Sequence, residues 1–193
     1  MTREAHETPI VTRTPLGLLF AAALPLLMGC GSSKTMVVKT PEQTGQIVRT
    51  LATAPSGDPD HLINVGSQLA DYVGAELSRR GYTVIDVAST IALMRRHDIP
   101  SGYASASQGM AALAEEKVDA ILVVNSSSSQ IGGPQMRHVN AKVVSVRTAK
   151  DVAGVEWHNA WGGMPGSPAD YTMRKGPAEA AKEIAAALAN ALR

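Results

Sequence analysis

The sequence has little cysteine, few aromatic residues and no strong excess of either charge. Its one cysteine in 193 residues excludes an internal disulfide, even in an oxidising compartment. Aromatic residues make up only 4% of the chain, so the core must rest on aliphatic side chains, and hydrophobic residues reach 45%. The formal net charge of +1 gives no indication of a nucleic-acid partner. Length and composition therefore predict one packed domain, with some chain left over for a leader and a linker.

The N-terminus holds a signal-like segment. The apolar run LGLLFAAALPLLM, residues 16–28, has the length of a signal-peptide h-region and is short for a membrane span. The run leads into Leu27-Met28-Gly29-Cys30, which resembles the lipobox of bacterial lipoproteins. The resemblance implies cleavage after Gly29 and a diacylglycerol on the thiol of Cys30. A mature lipoprotein carries several acyl chains, so firm membrane attachment is expected.

The residue after the cysteine indicates a location. Gly31, and not Asp, follows Cys30. By resemblance to the sorting rules of Gram-negative bacteria, this implies the outer membrane, with the domain on its periplasmic face. The expected organisation is a signal peptide over 1–29, a lipidated flexible tether over 30–57 and a periplasmic domain over 58–193. A tether of that length would reach roughly 80 Å when fully extended.

Hydrophobic periodicity predicts the elements of the domain. After a strand at 46–52, the pattern indicates helices at 59–80, 87–97, 105–117 and 177–192, and strands at 82–87, 120–124, 139–146 and 155–161. This order predicts an α/β fold, a single α/β sandwich with a mixed sheet and the C-terminal helix packed on the sheet.

Four local patterns carry more specific expectations. The apolar run 120–124 predicts a strand buried on both faces. The slip in alternation at Val143-Val144 predicts a bulge, and Asp151–Gly154 predicts the turn of a hairpin. Ser105-x-x-Gln108 predicts a capping box at the start of a helix.

Residues 60–190 resemble a group of envelope lipoproteins. The matching stretches are Tyr82–Asp86, Ile91–Arg95, Ser101-Gly102 and Val118–Val123. They follow the order and spacing of the group that includes the curli-secretion channel subunit and the outer-membrane activator of penicillin-binding proteins, whose fold is related to the N-terminal domain of the Tol propeller protein. The resemblance implies a periplasmic accessory domain that binds other envelope proteins. Long alternating segments that would form membrane hairpins are lacking, which argues against a secretion pore.

The candidate chemical groups do not form a recognisable enzyme or metal motif. His61, next to Asp58 and Asp60, lacks the spacing of a zinc site, so no metal and no cofactor are expected. On a strand, Trp157 and His158 point to opposite faces, which places His158 on the solvent side. The serines at 126–129 have no G-x-S-x-G context and indicate a flexible loop. No catalytic residue is therefore predicted.

Two pairs of arginines stand at predicted helix ends. Arg79-Arg80 and Arg95-Arg96 suit the negative end of the helix dipole, while a contact with anionic lipid or glycan stays open.

Two long loops, 125–137 and 162–176, are the predicted partner-binding segments, with disorder as the alternative. Their apolar residues are Ile131, Met136, Met164, Tyr171 and Met173.

The sequence thus predicts a non-enzymatic adaptor, anchored to a membrane by lipid, that serves an envelope assembly. A small periplasmic hydrolase is one alternative, and it requires convergent Ser, His and Asp groups in a pocket. A subunit of an oligomeric ring is the other, so self-association is left open.

Overall fold

The computed structural model describes residues 34–39, 47–55, 65–129, 135–159, 167–169 and 174–193. At 34–39, 65–67, 128–129 and 135–136 it describes the backbone only. No helix within these ranges combines the length and the apolar character needed to cross a membrane.

The described part of the domain contains six strands and four α-helices. In chain order they are β1 (Lys34–Lys39), β2 (Thr50–Thr53), α1 (Val65–Ser78), β3 (Thr83–Ile85), α2 (Val87–Arg96), α3 (Ser107–Glu115), β4 (Ala120–Ser129), β5 (Gln135–Ser145), β6 (Asp151–His158) and α4 (Pro177–Ala191). A short 3-10 helix, Ser101–Tyr103, lies between α2 and α3. From α1 onward this is the predicted order of helices and strands.

All six strands form one mixed sheet in the order β1-β6-β5-β4-β2-β3. The pairs β2–β3 and β2–β4 are parallel, and the chain between β2 and β4 contains α1, α2 and α3. The pairs β4–β5, β5–β6 and β6–β1 are antiparallel. The predicted α/β fold with a mixed sheet is confirmed.

Helices pack on both faces of the sheet, but they cover the two faces unequally. On one face α1 and α4 share a core with β4, β5 and β6, and the C-terminal helix packs on the sheet as predicted. Large, fully buried members of this core are Leu69, Leu77, Leu122, Trp157, Ile184 and Leu188. On the other face α2 and α3 form a second core with Ala52, Ile121 and Val144. This second core leaves the β5–β6 side of that face without a described helix.

Strand β4 holds the centre of the sheet. Its apolar run is buried on both faces, as predicted: Leu122 belongs to the core under α1 and α4, and its neighbour Ile121 to the core under α2 and α3. Both side chains are 0% exposed. Burying an aliphatic side chain of this size contributes about 1.5–3 kcal/mol, so this strand anchors both layers.

Beyond its apolar run, β4 continues through the serines at 126–129. Ser126 pairs with Val139 and Ser127 with His138, so this part of the predicted loop 125–137 is strand. The expectation of a flexible serine loop is therefore wrong. Serine has a weak preference for strands, but pairing beside the buried Val139 outweighs that preference.

The hairpin β5–β6 forms with a different turn from the predicted one. Asp151–Gly154 was predicted to be the turn, but these residues belong to β6, where Val152 and Ala153 are buried. The chain reverses before them, where Ser145 N–H donates to the carbonyl of Lys150 at 2.9 Å. Burial of the two apolar side chains outweighs the turn preference of the residues that flank them. The predicted bulge at Val143-Val144 is confirmed by a register shift at that position.

The helix boundaries follow local signals in most places. After α1, Gly81 takes a φ of +94°, a left-handed conformation that glycine adopts without strain. Asp86 caps α2 by accepting a hydrogen bond from Ser89 N–H at 2.7 Å. The predicted capping box of α3 is wrong, because the cap residue is Ala106 and it makes no side-chain hydrogen bond. The preceding 3-10 helix takes Ser105 into its turn, since Ala106 N–H donates to the carbonyl of Tyr103.

Two strands lie within residues 30–57, which were expected to form a flexible tether. Strand β2 falls at the predicted strand 46–52. It is held by Asp119, whose Oδ2 accepts hydrogen bonds from the Arg49 and Thr50 amides at 2.8 Å each. Strand β1 was not predicted, and it pairs with β6 at the edge of the sheet. The sheet therefore begins at Lys34, which shortens the expected tether.

Candidate functional site

Most of the predicted functional residues lie outside the described part of the chain. These are the lipobox and lipidation residues Leu27, Met28, Gly29 and Cys30, and the loop residues Ile131, Met164, Tyr171 and Met173. The residues Asp58, Asp60 and His61, which were considered as metal ligands, also lie outside it. Met136 lies on β5 opposite Ser128, with its backbone alone described. The roles assigned to these residues stay predictions.

Residues within or close to the two predicted partner-binding loops lie at one end of the sheet. Ser129, the last residue of β4, pairs with Gln135, the first of β5. His158, the last residue of β6, pairs with His138 near the start of β5, and also with Lys34, the first residue of β1. We call this end of the sheet, marked by Lys34, Ser129, Gln135 and His158, the loop end.

Next to the loop end, one face of the sheet carries polar side chains. On β4, β5 and β6 the residues that alternate with the buried ones point away from α1 and α4, and among the described elements no helix packs over them. We call these residues the open face: Asn125, Ser127, His138, Asn140, Glu156 and His158. The cross-strand register aligns them in two rows, one of Ser127, His138 and His158, the other of Asn125, Asn140 and Glu156.

Two histidines and a glutamate meet on the open face. The ring centroids of His138 and His158 are 4.5 Å apart, with their planes tilted by 39°. Glu156 lies two residues before His158 on the same face, and its Oε2 is 3.9 Å from His158 Nε2. The His158 side chain is 43% exposed, whereas Trp157 beside it is fully buried on the opposite face. The predicted solvent-side position of His158 is confirmed.

Directly after β6, Asn159 is hydrogen-bonded to the residues just before α4. Its side-chain amide donates to the carbonyl of Lys175 at 3.0 Å, and its Oδ1 accepts from the Lys175 amide at 3.1 Å. Arg174 donates to the carbonyl of Asn159. Asn159 is 5% exposed, so these hydrogen bonds are largely shielded from water. They join the two ends of residues 160–173 at the loop end of the sheet.

A second polar contact ties α4 to the same place. The indole N–H of the buried Trp157 donates to Glu183 Oε2 at 2.7 Å, and Glu183 also pairs with Lys175. A buried indole requires an acceptor, and α4 supplies it. Through Glu183, helix α4 therefore holds both the end of β6 and Lys175, which lies just before the helix begins.

Three of the four arginines singled out in the sequence, Arg79, Arg80 and Arg96, make ion pairs. Arg79 and Arg80 both pair with Glu76, and Arg80 also reaches the carbonyl of Lys182. Although burial disfavours a charged carboxylate, hydrogen bonds and charge from Arg80 and Arg79 hold the pKa of Glu76 below its usual value. Arg96 pairs with Glu116 at 3.3 Å.

His97 lies away from the other two described histidines. Its Nδ1 is 3.7 Å from Glu115 Oε2 and its Nε2 is 3.5 Å from Glu116 Oε1. The hydrolase alternative required histidines and a nucleophile to converge in a pocket. His138 and His158 do meet, but they meet on the open face. A cavity of about 140 Å³ between α1 and β2–β3 is lined by Thr53, Asp71 and Asp86 among others, and holds no histidine.

The histidine pair is the feature that the sequence did not reveal. The spacing Glu156-x-His158 on a strand is a signal that both side chains share a face. The missing information was the partner on β5. That partner depends on the hairpin register, and the misplaced turn at Asp151–Gly154 hid it.

Comparisons with known proteins find similar folds at low identity. No protein-family model matches the chain, and no curated protein does. Two structures of the PelC dodecamer from Paraburkholderia phytofirmans share 11% identity with this chain, cover 83% of it and 98% or 97% of their own chains, and give TM-scores of 0.48 and 0.44. Lipoprotein GNA1162 from Neisseria meningitidis shares 16% identity over 56% of this chain and 81% of its own, with a TM-score of 0.40. At these values the likeness carries no argument about function, and the resemblance to the curli-secretion and activator lipoproteins stays a prediction.

Proposed function

We propose that this protein is an envelope lipoprotein, anchored through lipid on Cys30, whose domain is a non-enzymatic adaptor that docks another envelope protein. The observation that carries the proposal is the sequence Leu27-Met28-Gly29-Cys30 at the end of an h-region-like run. The thiol stands where a lipoprotein signal peptidase would leave it, at the new N-terminus. Gly31 in the next position favours the outer membrane, with the domain on the periplasmic face.

The start of the sheet supports a short spacer. Only residues 31–33 stand between Cys30 and the first residue of β1. Four Cα–Cα steps span at most about 14 Å, because an extended chain advances about 3.3–3.6 Å per residue. This replaces the roughly 80 Å expected for a tether over 30–57. A lipid-anchored domain with such a spacer stays at the membrane surface and does not bridge across the peptidoglycan.

The place where the sheet begins supports a further inference about which end of the domain the anchor holds. Lys34, where the spacer joins the sheet, belongs to the loop end together with Ser129 and Gln135. On this proposal the predicted partner-binding segments lie at the end of the sheet that is nearer to the lipid. We infer that the partner is an envelope protein embedded in, or lying on, the same membrane.

Lipidation is tested by fractionating membranes and measuring the intact mass of the wild type and Cys30→Ala. We expect a wild-type chain that begins at Cys30, carries lipid mass and sediments with the outer membrane, and a Cys30→Ala chain without lipid. Ser32→Ala, two residues after Cys30, is the matched control and is expected to be lipidated like the wild type. A soluble, unlipidated wild-type protein would overturn the anchor.

The docking role is tested by photo-crosslinking in intact cells. A photoreactive residue at Met136, at the loop end, is compared with one at Lys150, in the turn at the opposite end of the β5–β6 hairpin. We expect a discrete crosslink to a membrane protein of the envelope from Met136 and none from Lys150. Equal labelling from both positions would contradict docking through the loop end, and a crosslink only to a second copy of this chain would favour the ring subunit.

A further inference from the structure

We propose that His138, Glu156 and His158 form a binding site for a divalent transition-metal ion, with zinc as the ion that suits them best. The proposal goes beyond the adaptor role and does not depend on the lipid anchor. It also departs from the expectation of no metal, which rested on histidines considered one at a time.

The three side chains offer a ligand set that transition metals use. One atom from each residue can be chosen so that all three atoms lie within 4.8 Å of one another. Two imidazole nitrogens and a carboxylate oxygen match the ligands of zinc sites that keep an open fourth position. Imidazole ligands select ions of the zinc, copper and nickel class over magnesium or calcium, which prefer oxygen.

The distances between the ligand atoms are close to those expected when all three bind one ion. Ligand atoms about 2.0–2.2 Å from a tetrahedral ion lie roughly 3.3–3.6 Å apart. Glu156 Oε2 and His158 Nε2 are already 3.9 Å apart, so small side-chain rotations bring both onto one ion. The His158 side chain is 43% exposed, which leaves it room to rotate.

The backbone beneath the cluster is held from several sides. His138 and His158 are direct cross-strand partners, and β5 and β6 are interior strands with β4 and β1 outside them. On the opposite face of the sheet from the cluster, the neighbouring residues Val139 and Trp157 are both 0% exposed in the core under α1 and α4. The ligand positions are therefore preorganised on a rigid element, and only the side chains need to move.

The surroundings suit an ion on the surface of the sheet. Asn140 pairs in register with Glu156, and Ser127 with His138, so polar side chains flank the ligands along the open face. Such neighbours can orient first ligands by hydrogen bonding. Three ligands from one side leave the outward position for water or for a donor atom of a docked protein.

The test measures zinc binding to the full-length protein, purified in detergent without a polyhistidine tag and stripped of metal by a chelator. Equilibrium dialysis against micromolar zinc, followed by elemental analysis, gives the metal content per chain. We expect about one zinc ion per wild-type chain, and an affinity reduced about tenfold or more in His138→Ala and His158→Ala. Glu156→Gln, which keeps the size of the side chain, is expected to weaken binding as well.

His97→Ala is the matched control, because His97 also stands beside two carboxylates but outside the cluster. It is expected to bind zinc like the wild type, and circular dichroism checks that each variant is folded. If a histidine variant does not fold, Glu156→Gln carries the comparison. A wild-type chain that holds no zinc under these conditions would overturn the proposal, and so would folded cluster variants that bind zinc as tightly as the wild type.

Discussion

Replacing Asn159 by alanine tests whether the end of β6 holds the segment before α4 in place. The substitution removes two hydrogen bonds, to the amide and to the carbonyl of Lys175. Each contributes about 1 kcal/mol net, and a stranded, partly buried backbone group adds to the loss. We therefore expect Asn159→Ala to lower the free energy of unfolding by about 2–3 kcal/mol. For a domain of this size that corresponds to a fall in Tm of about 5–10 °C.

Urea denaturation, followed by circular dichroism, measures the loss of stability. Trypsin gives a local readout, because Arg174 and Lys175 are the first cleavage sites after Asn159. When a segment opens rapidly and reversibly, cleavage follows the population of the open form. A local loss of about 2–3 kcal/mol then raises the cleavage rate roughly 30- to 150-fold.

Two variants serve as comparisons. Asn159→Asp keeps the acceptor for the Lys175 amide but places an oxygen against the Lys175 carbonyl, so an intermediate loss is expected. Asn140→Ala removes an asparagine of the open face, and we expect a change within about 0.5 kcal/mol there. If Asn159→Ala and Asn140→Ala unfold alike, and trypsin cleaves both at the wild-type rate, the reasoning about this contact is refuted.

Three further predictions concern positions that hold the fold. Gly109→Ala should cost about 1–3 kcal/mol in urea denaturation, because a Cβ there would lie only 2.6 Å from the Cα atom of Ala104; an unchanged midpoint would contradict this. Asp119→Ala removes the acceptor of two amides at the start of β2 and should cost about 2–4 kcal/mol, with Asp119→Asn losing less; equal losses would argue against a role for the charge. Glu76→Gln should destabilise the protein at neutral pH, and the difference should shrink as the pH falls below 4.5 and through the lowered pKa of Glu76, since the ion pairs stabilise the fold only while the carboxylate is charged. Urea midpoints measured at neutral and acid pH check the last prediction, and a difference that is constant with pH would refute it.

Elements with a local signal could be predicted from the sequence. The apolar run of β4 predicted burial on both faces, and the broken alternation at Val143-Val144 predicted the bulge. Gly81 marked the end of α1 through its own conformational freedom. In these places the residues that determine the structure are neighbours along the chain.

Features that depend on distant pairing could not be predicted in the same way. Strand β1 forms against β6, and its residues lie 115 to 124 positions from their partners along the chain; nothing in its short sequence indicates that partner. The hairpin turn was misplaced because burial of Val152 and Ala153 outweighs the turn preference of their neighbours. The contact between His138 and His158 depends on that same register. With the turn misplaced, the sequence could not predict that these two histidines are cross-strand partners.

The pairing of β1 with β6 also has a consequence for how the protein is made. A chain is synthesised from its N-terminus, so β1 exists long before the strand that it joins. The strands β4, β5 and β6 are consecutive, and their pairing needs only short loops to close, whereas β1 must wait across most of the chain. Until then the segment KTMVVK lacks the strand with which its backbone would pair, and unpaired strand edges can associate with other chains. Completion of this sheet edge is thus a late event, which takes place only once the C-terminal half of the chain has arrived.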